Sequence, residues 1–239
     1  MCARSAKTHR ASEERYAFPA NRILFEDEHV IVVNKPSGLP CHATRDPRRD
    51  HLFAALARFL EARDGAAQVY LALHHRLDRD TSGALLLSKA KVANKPLGDM
   101  FRDHRVQKTY VALVDHEGWA QDPPPPWSVR NYLARDKRDK HRMTAVRSGG
   151  DPARTDFRWM ASYPDGTALV EARPHTGRTH QIRIHLALSG HPIRGDRLYG
   201  GTGEGRVMLH ALRLEFPHPV AGRAITVDTP LPRPFKKRG

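Results

Sequence analysis

The 239-residue chain carries 40 Lys and Arg against 26 Asp and Glu, a net charge of +14. Such a surplus points to a polyanionic partner, nucleic acid first, and the length suffices to bury a sizeable core. Two cysteines, Cys2 and Cys41, exclude a disulfide framework and a tetrahedral metal set; the apolar runs are too short for a membrane span or a secretory signal, so a cytoplasmic protein is expected.

Residues 1–20 are basic and poor in apolar side chains, and they read as a flexible segment, with order starting near Arg22. Ile23, Leu24 and Phe25, the acidic turn Glu26-Asp27-Glu28 and the run Val30-Ile31-Val32-Val33 predict two β segments closed by Asn34-Lys35-Pro36-Ser37-Gly38. Leu52, Phe53, Leu56, Phe59 and Leu60 fall on one face of a helix with Asp50 as its N-cap. A second helix is expected from about residue 94 to 104, because Pro96 is tolerated only in a first turn. Residues 106–114 are rich in β-branched side chains and predict a strand.

Further along, Pro123-Pro124-Pro125-Pro126 predicts an extended spacer, and residues 134–142 form a charge run of both signs that reads as a solvated face suited to phosphate contact. Residues 154–161 and 167–173 flank Pro164-Asp165-Gly166 and read as a hairpin. Thr179 as N-cap and Gly190 as stop place a helix over 180–189, although 180–185 also alternates like a strand. Strands over 208–216 and 224–227 and a basic tail over 233–239 complete an α+β chain with a mixed, largely antiparallel sheet.

Two stretches carry chemistry. Leu73 to Ala84 lies between apolar runs and holds Asp78 and Asp80 among His74, His75, Arg76 and Arg79. A loop held between strands is where reactive side chains are placed, and a carboxylate there serves as nucleophile, base or ion-pair partner. The second stretch, His175 to Leu186, joins Gly177 and Arg178 to a helix start, a combination that suits an anion. His175, His180 and His185 are spaced by five, and a five-residue step turns a helix by about 500°, so they do not share a face and no metal is expected.

His75-Arg76-Leu77-Asp78-Arg79-Asp80-Thr81-Ser82-Gly83 resembles the HRLDxxTSG signature of the RluA family of pseudouridine synthases, with every specified position matched. The block 23–39, Lys108-Thr109-Tyr110, Gly177-Arg178-Thr179-His180-Gln181-Ile182-Arg183, residues 191–200 and Leu209-His210-Ala211 resemble further family motifs in the same order. The resemblance implies a pseudouridine synthase fold in one catalytic domain over 21–232. It makes Asp78 the catalytic carboxylate, Tyr110 the ring that receives the target base, and Arg183 the cation paired with Asp78. Together with the basic character of these motifs, it implies RNA contacts from Arg76, Lys35, Lys108, Arg178, His180 and Gln181. It further implies structured RNA, ribosomal or transfer, as partner, a monomer, and no cofactor or metal, since substrate and product are isomers. About 20 residues precede the first strand, too few for the S4 domain of larger relatives. Cys41-His42-Ala43-Thr44 and the four prolines depart from the family's common wording. A non-catalytic RNA-binding module and an RNA-directed hydrolase remain alternative readings of the same residues.

Overall fold

The computed structural model describes residues 15–44, 46, 48–116, 124–203 and 205–236. Most of the expected flexible segment, 1–14, and the end of the basic tail, 237–239, lie outside the described residues. The first apolar runs form β1 (Ile23–Glu26) and β2 (Val30–Lys35), an antiparallel hairpin. Its acidic turn is fixed by Asp27, whose carboxylate accepts the N–H groups of His29 and Val30 at 2.9 Å each. β2 is buried on both faces: Ile31 and Val33 join one apolar cluster, Val30 and Val32 another. That is why its sequence is continuously apolar rather than alternating.

Helix α1 (Leu52–Asp64) buries Leu52, Leu56 and Leu60 against the first cluster, each worth about 1.5–3 kcal/mol when fully removed from water. Its N-cap is His51, whose Nδ1 accepts the Ala54 N–H at 3.3 Å. The expected cap, Asp50, is engaged instead by the Tyr16 N–H at 2.7 Å and the Arg58 guanidinium at 2.6 Å. Order therefore starts before Arg22: Phe18 lies in the core. At the other end Phe235, within the basic tail expected over 233–239, is fully buried.

The short β3 (Ala72–Leu73) and the central β4 (Ser82–Ser88) bracket the signature loop. Helix α2 (Asn94–Arg102) starts where Pro96 allows, and β5 (Gln107–Asp115) follows. The first proline of the expected spacer lies outside the described residues, and the other three have no regular secondary structure. A strand not expected from the sequence, β6 (Trp127–Arg135), follows and pairs with β7 (Met143–Val146). The charge run is the turn between them, held by Asp136, which accepts the N–H groups of Arg138 and Asp139 at 2.7 and 3.2 Å. The long hairpin β8 (Asp151–Tyr163) and β9 (Thr167–Pro174), helix α3 (Gln181–Leu188), β10 (Leu209–Pro217) and β11 (Ala224–Asp228) complete the chain.

The strands form one sheet in the order β1-β2-β4-β10-β5-β9-β8-β6-β7, with β11 on β10 and β3 on β4. Among the described strand pairs, β4 with β10 runs parallel and the others antiparallel. The fold is thus the expected α+β class. Gly83 makes the parallel contact possible. A Cβ there would sit 2.2 Å from the Ala211 carbonyl oxygen, and its φ of +113° belongs to glycine. No helix among the described residues is long and apolar enough to cross a membrane.

Candidate active site

The signature loop between β3 and β4 is tied down from below by the segment that follows β2. The Gly38 N–H donates to the Arg79 carbonyl at 2.9 Å, and the Ser37 hydroxyl donates to that of Asp80 at 2.7 Å. Cys41 Sγ lies 3.4 Å from the Leu77 N–H and 3.3 Å from its carbonyl oxygen. Lys35 reaches up from the end of β2 and donates to the carbonyls of Pro36, Leu39 and Arg79, at 2.9, 2.7 and 2.9 Å. Its three protons are all used and its side chain is fully buried; burial lowers its pKa to about 8. Lys35 is therefore a clamp under the loop, and the RNA contact expected of it is corrected.

Held in this way, Asp78 lines a cavity of about 990 Å³, together with Leu77, Tyr110, His180, Ile182 and Arg183. Its side chain is 27% exposed, so it is reachable from the cavity. Arg183 Nη1 lies 3.5 Å from Asp78 Oδ2, an ion pair at the limit of hydrogen-bond length. The rest of the guanidinium is engaged elsewhere. Nε and Nη2 donate to the two oxygens of Asp196 at 2.7 and 2.8 Å, and the group lies 5.1 Å from the centre of the Tyr199 ring. Burial opposes the Arg183 charge, but the Asp196 hydrogen bonds outweigh it and its pKa is raised. The expected pairing of Arg183 with Asp78 is present, yet Asp196 is what fixes the arginine. Asp196 and Tyr199 lie within the run 191–200, whose linear pattern does not reveal their separate roles.

Tyr110, on β5, is almost fully buried but lines the cavity. Burial, with the charge of Asp78 added, pushes its phenol above the ordinary value, which keeps it un-ionised. Lys108, two residues earlier, is on the same side of the strand and also lines the cavity; burial lowers its pKa. Arg76 is exposed on the cavity rim.

The turn into α3 supplies the remaining residues. His180, not Thr179, occupies the cap position, with a φ of +57° that a non-glycine residue seldom adopts. Its Nδ1 lies 2.8 Å from the Tyr199 hydroxyl, which leaves Nε2 4.0 Å from Asp78 Oδ2. Burial is the main cause of its lowered pKa. Arg178 lines the cavity while its Nε donates to the Pro152 carbonyl at 3.1 Å. Gln181 is buried. Its Nε2 donates to the Arg154 carbonyl and to Thr155 Oγ1, and its Oε1 accepts from Thr176 Oγ1 and the Arg178 N–H. Gln181 lines the cavity, but its amide is saturated by protein and it shapes the turn.

The three evenly spaced histidines diverge, as their spacing requires. His180 faces Asp78, His185 is buried between Thr155 and Asn131, and His175 pairs with Asp156. Asp27, His29 and His218 do bring ligand atoms together. There, however, His218 Nδ1 accepts the N–H groups of Val220 and Ala221, which puts its proton on Nε2, 3.0 Å from Asp27. That proton occupies the lone pair a metal would need, and the trio supports two turns.

Comparisons with known proteins agree with one another. A family model described as RNA pseudouridylate synthase matches residues 29–188. Ribosomal large subunit pseudouridine synthase C of Escherichia coli (strain K12) is 36% identical over 240 residues, covering 94% of this chain and 70% of that protein. An uncharacterized RNA pseudouridine synthase of Bacillus subtilis (strain 168), YhcT, is 36% identical over 217 residues, covering 90% and 70%. Among solved structures, human RNA pseudouridylate synthase domain containing 4 matches with a TM-score of 0.72 at 27% identity, covering 90% of each chain.

Proposed function

The chain belongs to the RluA family of RNA pseudouridine synthases and is an RNA-modifying isomerase; from that premise we propose that it acts on large-subunit ribosomal RNA, with Asp78 as the catalytic carboxylate. The observation that carries the residue assignment is the meeting, in one cavity, of a reachable carboxylate, a locked arginine 3.5 Å away and an un-ionised tyrosine ring. The choice of RNA rests on the relative named for the ribosomal large subunit.

Pseudouridylation breaks the bond between uracil N1 and ribose C1′, turns the base, and joins C5 to C1′; the C5 proton leaves and N1 takes one up. No electron, phosphate or water enters the balance. The target uridine must leave its stack, which costs a few kcal/mol and is least in loops. Tyr110 offers the ring on which the freed base lies, worth roughly 1–3 kcal/mol. Asp78 acts at the sugar, on C1′ or on the C2′ proton. Both routes need the carboxylate held still, which the clamp from Lys35, Ser37, Gly38 and Cys41 provides. Arg183, fixed by Asp196, supplies the opposing charge without moving. The cation Lys108 and the rim residues Arg76, Arg178 and His180 receive the backbone of the displaced nucleotide. The enzyme works in the cytoplasm as a monomer.

The test is release of tritium from RNA labelled at uracil C5, with separate pools of unmodified large-subunit rRNA and tRNA transcripts. Release from the rRNA pool is the expected result. Release from tRNA alone would overturn the substrate assignment, and release from neither would overturn the function.

A further inference from the structure

Resting on the RNA reading above, we propose that the outer face of β6 and β8 is a second RNA-binding surface, which holds the strand that leaves the catalytic cavity. The β6–β8 register builds it. Arg130 stands directly opposite Arg154, and Tyr132 directly opposite Pro152. Residues two apart on a strand share a face, so the four side chains form one block. The opposite face is covered: Trp127 Nε1 donates to Ser189 at the end of α3, and Asn131 meets His185 within the helix.

Like charges set directly opposite each other on a strand pair are unfavourable. Arg154 is partly neutralised by Asp156, but Arg130 has neither an ion pair nor a hydrogen bond through its side chain among the described residues. Tyr132 is 47% exposed, a large ring left in solvent beside that cation. A guanidinium pair next to an exposed ring matches the repeating phosphate and base of a single strand. An acidic protein surface would use the charges but leave the ring without purpose.

Continuity with the cavity gives the surface its place. Arg178 lines the cavity and donates to the carbonyl of Pro152, the residue opposite Tyr132. The path from Asp78 thus runs past Arg178 and around the start of β8 to Tyr132, Arg130 and Arg154.

The experiment compares wild type with Arg130→Ala/Tyr132→Ala. Both side chains are exposed, so the double variant should keep the wild-type melting temperature. The probe is an unmodified large-subunit rRNA transcript, with Kd measured by filter binding at several salt concentrations and tritium release followed in parallel. Kd should rise about tenfold, and the slope of log K against log salt should shrink by about 0.7, the share of one neutralised phosphate on a single strand. KM should rise while kcat holds. An unchanged Kd and slope in the folded variant would overturn the surface. Weaker binding in the variant, with no tritium release by wild type, would uphold the surface and reject the catalytic assignment instead.

Discussion

Replacing Asp196 with Asn tests whether the arginine at the site is held as the geometry says. Asp196 is 1% exposed and Arg183 9% exposed, and the pair makes two hydrogen bonds of 2.7 and 2.8 Å. Breaking a buried pair by removing one charge costs about 3–5 kcal/mol, because the remaining ion is left without compensation. Here Asp78 at 3.5 Å and the Tyr199 ring at 5.1 Å remain as weaker partners, which favours the low end, about 3 kcal/mol. For a domain of this size each kcal/mol moves the melting temperature by roughly 2–4 °C. Asp196→Asn should therefore melt about 6–12 °C lower by circular dichroism, and lose most of its turnover in the tritium assay. Arg183→Met/Asp196→Leu, which removes both charges, should melt above Asp196→Asn while remaining inactive. A melting temperature within about 2 °C of wild type for Asp196→Asn would refute the reasoning.

Lys35→Met leaves the carbonyls of Pro36, Leu39 and Arg79 without their donor, so it should cost about 3 kcal/mol or more in urea unfolding. Turnover should fall with it, while Kd for RNA stays close to wild type; a selective loss of RNA affinity would restore the RNA contact first expected of Lys35. Tyr110→Phe should keep kcat/KM within a few fold, and Tyr110→Leu should lower it by about 5–150-fold, the worth of one stacked base. Stability should also depend on pH through buried histidines. Burial lowers the pKa of the fully buried His185 and His210 to about 4. Below the unfolded value of about 6.5 the unfolded chain takes up protons that the folded chain refuses. This stability is thus complete above about pH 6.5 and declines as pH falls towards about 4, so the urea midpoint should be lower at about pH 5 than at about pH 7. A flat profile over that range would contradict the burial of these rings as neutral groups.

The meeting of Asp78, Tyr110 and Arg183 in one cavity was legible in the sequence because each stands in a short motif that carries its context, His75 to Gly83 in the case of Asp78. What the linear pattern hid was the direction of side chains. Lys35 and Gln181 look like surface donors, yet one ends beneath the signature loop and the other inside the turn before α3. Asp196 was hidden for the opposite reason: its partner is 13 residues away, and only the bend after α3 brings them together. β6 is hidden in the sequence because one of its faces is solvent-exposed and carries Ser128, Arg130 and Tyr132, which dilute the apolar signal. His51 took the cap from Asp50 because the Tyr16 backbone and Arg58 compete for that carboxylate.

The central claim is that Asp78 and not its neighbour is the catalytic carboxylate. Asp80 is turned aside, with both oxygens on the Arg79 guanidinium at 3.0 Å, whereas Asp78 faces Arg183 across the cavity. The most direct measurement is single-turnover tritium release from the same rRNA pool by Asp78→Asn and Asp80→Asn, with folding of each checked by its melting temperature. Release should vanish with Asp78→Asn and persist at most of its wild-type rate with Asp80→Asn. Comparable losses from the two variants, or turnover that survives Asp78→Asn, would contradict the account.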